Sequence, residues 1–199
     1  MKIKICGIRR KEDIDIINKY NPDYIGIIFY PKSKRYIKPN IIAPFLNNLN
    51  PNIKKVGVFV NETFDTVNEI SNICNLDIIQ LHGNEDIEYI KNIKKTVWKA
   101  LSVKNKNIKK QMEIYKKYVE IILLDNGKGG TGKTFNWKYA KNLSENYKIA
   151  LAGGININNV KEAIKIVNPS IIDISSGVEI NSYKDEEKIK NIINLIRNI

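Results

Sequence analysis

The chain has 199 residues, with 33 Lys and Arg against 21 Asp and Glu, a formal net charge of +12 and 43% hydrophobic residues. That apolar content is too high for a disordered chain. With no run of ~18 apolar residues and no apolar core of a secretory signal, it predicts one soluble domain over 1–199 and a cytoplasmic address. Two cysteines, Cys6 and Cys74, are too few for a disulfide scaffold or a zinc site and read as free thiols in a reducing compartment.

Nucleic-acid binders concentrate Lys and Arg on one face or in one tract. Here arginine is limited to Arg9, Arg10, Arg35 and Arg197, and lysines are spread through the chain among isoleucines and asparagines. The scatter argues for no nucleic-acid partner, as the lack of a long apolar run argues for no membrane. It suits an anionic small-molecule substrate drawn in by a positive surface.

In chain order, apolar runs of strand length alternate with amphipathic stretches of helix length. A strand at Lys2–Cys6 precedes a helix over Lys11–Tyr20, and Tyr24–Phe29 precedes Pro39–Leu49. Lys55–Val60 leads to Thr63–Cys74, Asp77–Leu81 to Glu85–Ile93, and Val97–Leu101 to Asn107–Tyr118. Val119–Leu124 leads to Asn136–Ser144, Lys148–Ala152 to Asn158–Val167, and Ile171–Ile174 to Lys184–Ile196. Alternating βα units imply parallel strands, because the chain must cross over through each helix. Polar or glycine-rich clusters follow nearly every strand, as expected when a closed ring gathers its chemistry at the strand carboxyl ends. The predicted fold is therefore α/β, a single compact (β/α)8 TIM barrel. At 199 residues over eight units it has about 25 residues per unit, against a fold typically near ~250 residues in all.

Side chains alternate along a strand, so Lys4 and Cys6 share one parity, as do Gln80 and His82, Ile121, Leu123 and Asp125, and Asp173 and Ser175. Pointed inward together, these place Lys4, Cys6, Gln80, His82, Asp125 and Asp173 in one interior. The fifth strand leaves Trp98 and Lys99 competing for the inside.

Gly127-Lys-Gly-Gly-Thr-Gly-Lys133-Thr134 fits the phosphate loop of nucleotide triphosphatases. A phosphate loop runs directly into its helix, yet Phe135, Asn136 and Trp137 intervene with Asn136 as the helix cap. The string therefore reads as a mobile βα loop over the active site. More informative are Gly153-Gly154 after the seventh strand and Ser175-Ser176-Gly177 after the eighth, the two turns that commonly hold a phosphate in such barrels. Cys6 ends strand one and Asp125 ends strand six, flanking those turns around the ring. A thiol and a carboxyl on either side of an anchored substrate suit a base and an acid acting on one molecule. Arg35, after strand two, is a surface charge or a fork for a substrate carboxylate. His82, the single histidine, is a structural hydrogen-bond bridge or a substrate contact.

Lys4-Ile-Cys-Gly-Ile, Pro31-Lys-Ser-Lys-Arg35-Tyr, Val56-Gly-Val-Phe-Val-Asn, Gln80-Leu-His-Gly, Gly129-Gly-Thr-Gly-Lys-Thr-Phe-Asn-Trp, Leu151-Ala-Gly-Gly-Ile and Asp173-Ile-Ser-Ser-Gly-Val-Glu occur in that order. Together they closely resemble the phosphoribosylanthranilate isomerase family of tryptophan biosynthesis, over Lys2 to about Glu179. The resemblance implies an Amadori rearrangement of N-(5-phosphoribosyl)anthranilate by general acid–base catalysis with neither metal nor cofactor, in a monomer or homodimer. It further implies Cys6 as base and Asp125 as acid, Arg35 on the anthranilate carboxylate, and phosphate held at Gly153, Gly154, Ser175, Ser176 and Gly177. Cys6 acts only as a thiolate, so its pKa must be lowered, and Lys4 on the same face is the positive neighbour expected to do it.

Overall fold

The computed structural model describes residues 1–103, 107–127 and 134–199. Eight parallel strands close into a barrel in sequence order. They are β1 (Lys2–Cys6), β2 (Tyr24–Ile28), β3 (Lys54–Phe59), β4 (Ile78–Leu81), β5 (Thr96–Ser102), β6 (Ile121–Asp125), β7 (Ile149–Leu151) and β8 (Ile171–Ile174). Around them lie α1 (Lys11–Tyr20), α2 (Pro39–Leu46), α3 (Phe64–Ile73), α4 (Ile87–Lys91), α5 (Ile108–Tyr115), α6 (Val160–Val167) and α7 (Glu186–Arg197). Among the described residues no helix is long and apolar enough to cross a membrane.

The predicted alternation of side chains sorts two apolar layers. Ile3, Ile5, Ile25, Ile27, Leu81, Ile122, Leu124, Ile172 and Ile174 pack outward against the helices. Tyr24, Val56, Ile78, Trp98, Ala100, Ile121, Leu123, Ala150, Ala152 and Ile171 fill the interior. Trp98 wins the inside of β5, its ring meeting Tyr24 edge-on at 5.0 Å, and its indole N–H donates to Glu120 at 3.1 Å. Lys99 points outward and is nonetheless buried. The large aromatics thus plug the lower barrel, while Ala100, Ala152 and Gly26 leave space at the carboxyl ends of the strands.

Three local predictions need correction. The stretch Asn136–Ser144 forms no α-helix but two short 3-10 turns, Trp137–Tyr139 and Leu143–Glu145. Asn136 does cap the first, accepting from the Lys138 N–H at 3.1 Å. Asn142 then takes a left-handed conformation, φ 65°, which asparagine tolerates and which ends a helical run. The fourth helix starts at Ile87 rather than Glu85, because the Asp86 side chain caps it by accepting from the Tyr89 N–H at 2.8 Å. Lys184 does not open the last helix. It lies in an antiparallel hairpin, β9 (Glu179–Ile180) and β10 (Tyr183–Lys184), unforeseen in the sequence. The anticipated loop over the site, residues 128–133, lies outside the described residues.

Candidate active site

A cavity of about 700 Å³ opens at the carboxyl ends of the barrel strands, lined by Cys6, Arg35, Gln80, His82, Asp125, Gly153, Gly154, Asp173, Ser175 and Ser176 among others. That volume suits a small-molecule ligand. Of the predicted site residues only Gly177 is missing from the wall. It stands behind it, so close to the Ile155 carbonyl that a Cβ there would lie 2.0 Å from the oxygen. Its contribution is to let the turn after β8 rest on the turn after β7.

Cys6 sits where β1 faces β2. The register pairs it with Gly26, and a Cβ on Gly26 would come within 2.5 Å of the Cys6 sulfur, so this glycine makes the room that the thiol occupies. Beneath the thiol, Lys4 is fully buried and donates to Asp173 at 2.9 Å, a contact set by the β1–β8 register that puts the two residues side by side. Burial works to lower the Lys4 pKa, but Asp173 and Cys6 outweigh it and hold the ammonium charged. Burial pushes the Cys6 thiol up; Lys4 pulls it down, Asp173 pushes it up, and Lys184 pulls it down. The net direction is upward. Lys4 therefore acts on Cys6 as expected from the sequence, but desolvation is the larger effect, and the predicted lowering is overturned.

Asp125 is buried at the end of β6 and accepts from the Asn126 backbone N–H at 2.7 Å through Oδ1. Its Oδ2 lies 3.4 Å from His82 Nε2. On the far side of the imidazole, Gln80 Nε2 is 3.2 Å from His82 Nδ1. The outward-facing Lys99 explains why His82 stands there. Its ammonium donates to the Gly83 carbonyl at 2.6 Å and to Glu85 at 3.0 Å, while Glu85 accepts from the backbone of Asn61 and Gly83. This buried ion pair clamps the turn after β4 from behind.

Arg35 is buried and its guanidinium forks onto Glu179, with Nε and Nη2 each 2.7 Å from a carboxylate oxygen. Lys184 shares the same carboxylate at 2.7 Å and donates to the Ser175 carbonyl at 3.1 Å. The bidentate geometry foreseen for Arg35 exists, but with a carboxylate of the protein itself. Glu179 closes the motif that begins at Asp173, but nothing local to it signals a contact with Arg35, and Lys184 has no sequence signal beyond being one lysine among many.

Gly153 and Gly154 hold φ of 82° and 70°, a conformation costly for other residues. A Cβ on Gly153 would lie 2.8 Å from Asp125 Oδ1, so the turn after β7 touches the carboxyl. Buried polar atoms without a hydrogen-bond partner among the described residues include Gln80 Oε1, Asp173 Oδ1 and Ser175 Oγ, and all three residues line the cavity. Such atoms are uncommon in folded proteins. Gathered in one wall, they are equipped to bind a ligand rich in hydroxyl groups.

A closed parallel barrel with a carboxyl, a thiol, and glycine and serine turns around one cavity at its carboxyl face has the build of a TIM-barrel enzyme. The family model for N-(5'-phosphoribosyl)anthranilate (PRA) isomerase matches residues 3–195. An N-(5'-phosphoribosyl)anthranilate isomerase of Thermoanaerobacter pseudethanolicus is 48% identical over 202 residues, spanning 100% of this chain and 99% of that protein. The crystal structure of the phosphoribosyl anthranilate isomerase of Thermotoga maritima superposes with a TM-score of 0.92 at 35% identity, covering 100% of both chains. A phosphoribosyl anthranilate isomerase solved with reduced 1-(o-carboxyphenylamino)-1-deoxyribulose 5-phosphate superposes with a TM-score of 0.89 at 34% identity, again over both whole chains. The chain belongs to the phosphoribosylanthranilate isomerase family.

Proposed function

We propose that the protein converts N-(5-phosphoribosyl)anthranilate to 1-(2-carboxyphenylamino)-1-deoxyribulose 5-phosphate, in tryptophan biosynthesis, with Asp125 as general acid and Cys6 as general base. The observation that carries the assignment is that both side chains line the one cavity that also holds the turns after β7 and β8. Asp125 protonates the furanose ring oxygen. The C1–O bond breaks toward that oxygen, and the nitrogen lone pair forms the C1 iminium. Cys6 must first lose its proton, since its thiol is held above the ordinary range. The thiolate then removes the C2 proton, and those electrons neutralise the iminium to give an enolamine that tautomerises to the ketone. Over this sequence Asp125 loses one proton and Cys6 gains one, and exchange with solvent restores both.

The remaining groups bind. Gly153, Gly154, Ser175 and Ser176 offer backbone and hydroxyl donors to the phosphate, with Gly177 shaping the second turn. Arg35, held rigid by Glu179, meets the anthranilate carboxylate. The partner is thus a small molecule bearing a phosphate and a carboxylate. We read the chain as one barrel domain working in the cytoplasm, as a monomer or homodimer.

Loss of substrate fluorescence on mixing with freshly prepared phosphoribosylanthranilate tests the reading. Cys6→Ser and Asp125→Ala are each expected to lower kcat by ~10²-fold or more, the scale of a general acid or base. No turnover by the wild type would reject the activity, and a near-normal kcat in either variant would remove that residue from the mechanism.

A further inference from the structure

The contact between Asp125 and His82 points to a positioning system behind the proposed acid. Gln80 and His82 occupy the same face of β4 and its following turn, and the imidazole lies between the Gln80 amide and the Asp125 carboxyl, at 3.2 Å and 3.4 Å. An imidazole in the neutral state carries its proton on one nitrogen only, and the partner of the other nitrogen selects which. Here the amide nitrogen of Gln80, a donor without acceptor capacity, faces Nδ1. With the Gln80 amide in this orientation and the imidazole neutral, Nδ1 accepts and the proton sits on Nε2, aimed at Asp125 Oδ2.

Gln80 makes this contact while its own carbonyl oxygen stays buried without a partner among the described residues, a costly arrangement for a side chain that only fills space. Support also comes from outside the pair. The His82 backbone N–H donates to the Phe59 carbonyl of β3 at 2.8 Å, and the Lys99–Glu85 pair clamps the turn.

We propose that Gln80 holds His82 in its Nε2–H tautomer, so that the imidazole donates to Asp125 as that residue becomes a carboxylate. His82 is on this account a positioning residue for the acid rather than a contact for substrate. The inference deepens the proposed function and rests on Asp125 being the acid. When Asp125 gives its proton to the ring oxygen, Oδ1 already accepts from the Asn126 N–H. The new charge on Oδ2 draws the Nε2–H closer, in the way catalytic contacts tighten beyond their resting length. No proton leaves His82. It offers a preorganised donor to charge that develops only in the reaction.

The chain has a single histidine, so the imidazole ¹⁵N spectrum needs no assignment by mutation. The expected wild-type spectrum has a protonated Nε2 and a bare Nδ1, and Gln80→Glu, whose carboxylate accepts from Nδ1–H, is expected to move the proton to Nδ1. Kinetics supplies the second arm and does not depend on Gln80→Glu folding. The amide nitrogen of glutamine reaches about where Nε2 lies, whereas that of asparagine stops near Nδ1. His82→Asn is therefore expected to lower kcat by ~10- to 100-fold, the scale of one hydrogen bond to a charged group, with KM changed less than ~3-fold. His82→Gln should recover most of that loss, and a residue that merely packs would not discriminate between the two.

A wild-type proton on Nδ1 would overturn the inference. Turnover by the wild type with His82→Asn at an equal kcat would overturn it while leaving the proposed function standing. No turnover by the wild type would remove both.

Discussion

At the scale of single residues, the thiol is the case where burial decides. Cys6 shares its strand face with Lys4, so the sequence could place a positive charge beside it, but the direction of its pKa depends on how completely water is excluded. Desolvation outweighs the two lysines and the thiol moves up. Followed by ultraviolet thiolate absorbance, Cys6 should therefore titrate above the ordinary ~8.5 of a free thiol, and Lys4→Met should move its midpoint higher still. Cys74, which burial pushes up to about 11, is first replaced by serine to clear the signal. An unchanged midpoint in Lys4→Met would show that the ammonium does not bear on the thiol. The roles of Gln80 and Glu179 were hidden for a related reason. Each acts through another side chain, and parity along a strand identifies who shares a face but not who touches.

At the scale of elements, periodicity was a dependable guide to the barrel strands and to most helices, because a strand facing a core and a helix facing a sheet must repeat their apolar residues at periods of 2 and 3.6. It failed where no such face exists. The 3-10 turns after β6 are too short to show a period, and the two-residue strands β9 and β10 carry no alternation. Yet that hairpin brings Glu179 and Lys184 to Arg35 and forms a buried three-charge cluster. Removing one member leaves charges buried without compensation, so Glu179→Gln should destabilise the fold by about 3–5 kcal/mol in urea unfolding at neutral pH. Burial works to raise the Glu179 carboxyl, but Arg35 and Lys184 outweigh it and hold it below its ordinary value. A carboxyl lowered in the folded state stabilises at pH above its unfolded value and loses that contribution as the pH falls through its folded value. The stability gap between wild type and Glu179→Gln should accordingly narrow on acidification, and a gap constant down to pH ~3 would contradict the coupling.

At the scale of the whole molecule, a chain of net charge +12 carries a cavity proposed to take a substrate with two anionic groups. Long-range attraction of that kind is screened by salt, since the Debye length falls from about 30 Å at 0.01 M to about 8 Å at 0.15 M. For phosphoribosylanthranilate, kcat/KM should fall several-fold across that range while kcat stays within ~2-fold, because steering acts on encounter and not on the chemical step. A kcat/KM independent of salt would mean that the surface charge plays no part in capture.

The number and order of the barrel strands, the inward parity of β1, β4, β6 and β8, and the residues at the carboxyl ends of β1 and β6 and in the turns after β7 and β8 were determined by the sequence alone, because each follows from local periodicity and turn chemistry. The facing of β5, where Trp98 and Lys99 competed, was decided only by the fold. Closure decided the rest. Only when β8 pairs with β1 does Asp173 meet Lys4 beneath Cys6. Only the hairpin after β8 gives Arg35 its carboxylate, and only the clamp behind β4 sets His82 against Asp125. These are contacts between residues far apart in the chain, and their energies depend on burial, which no local pattern encodes.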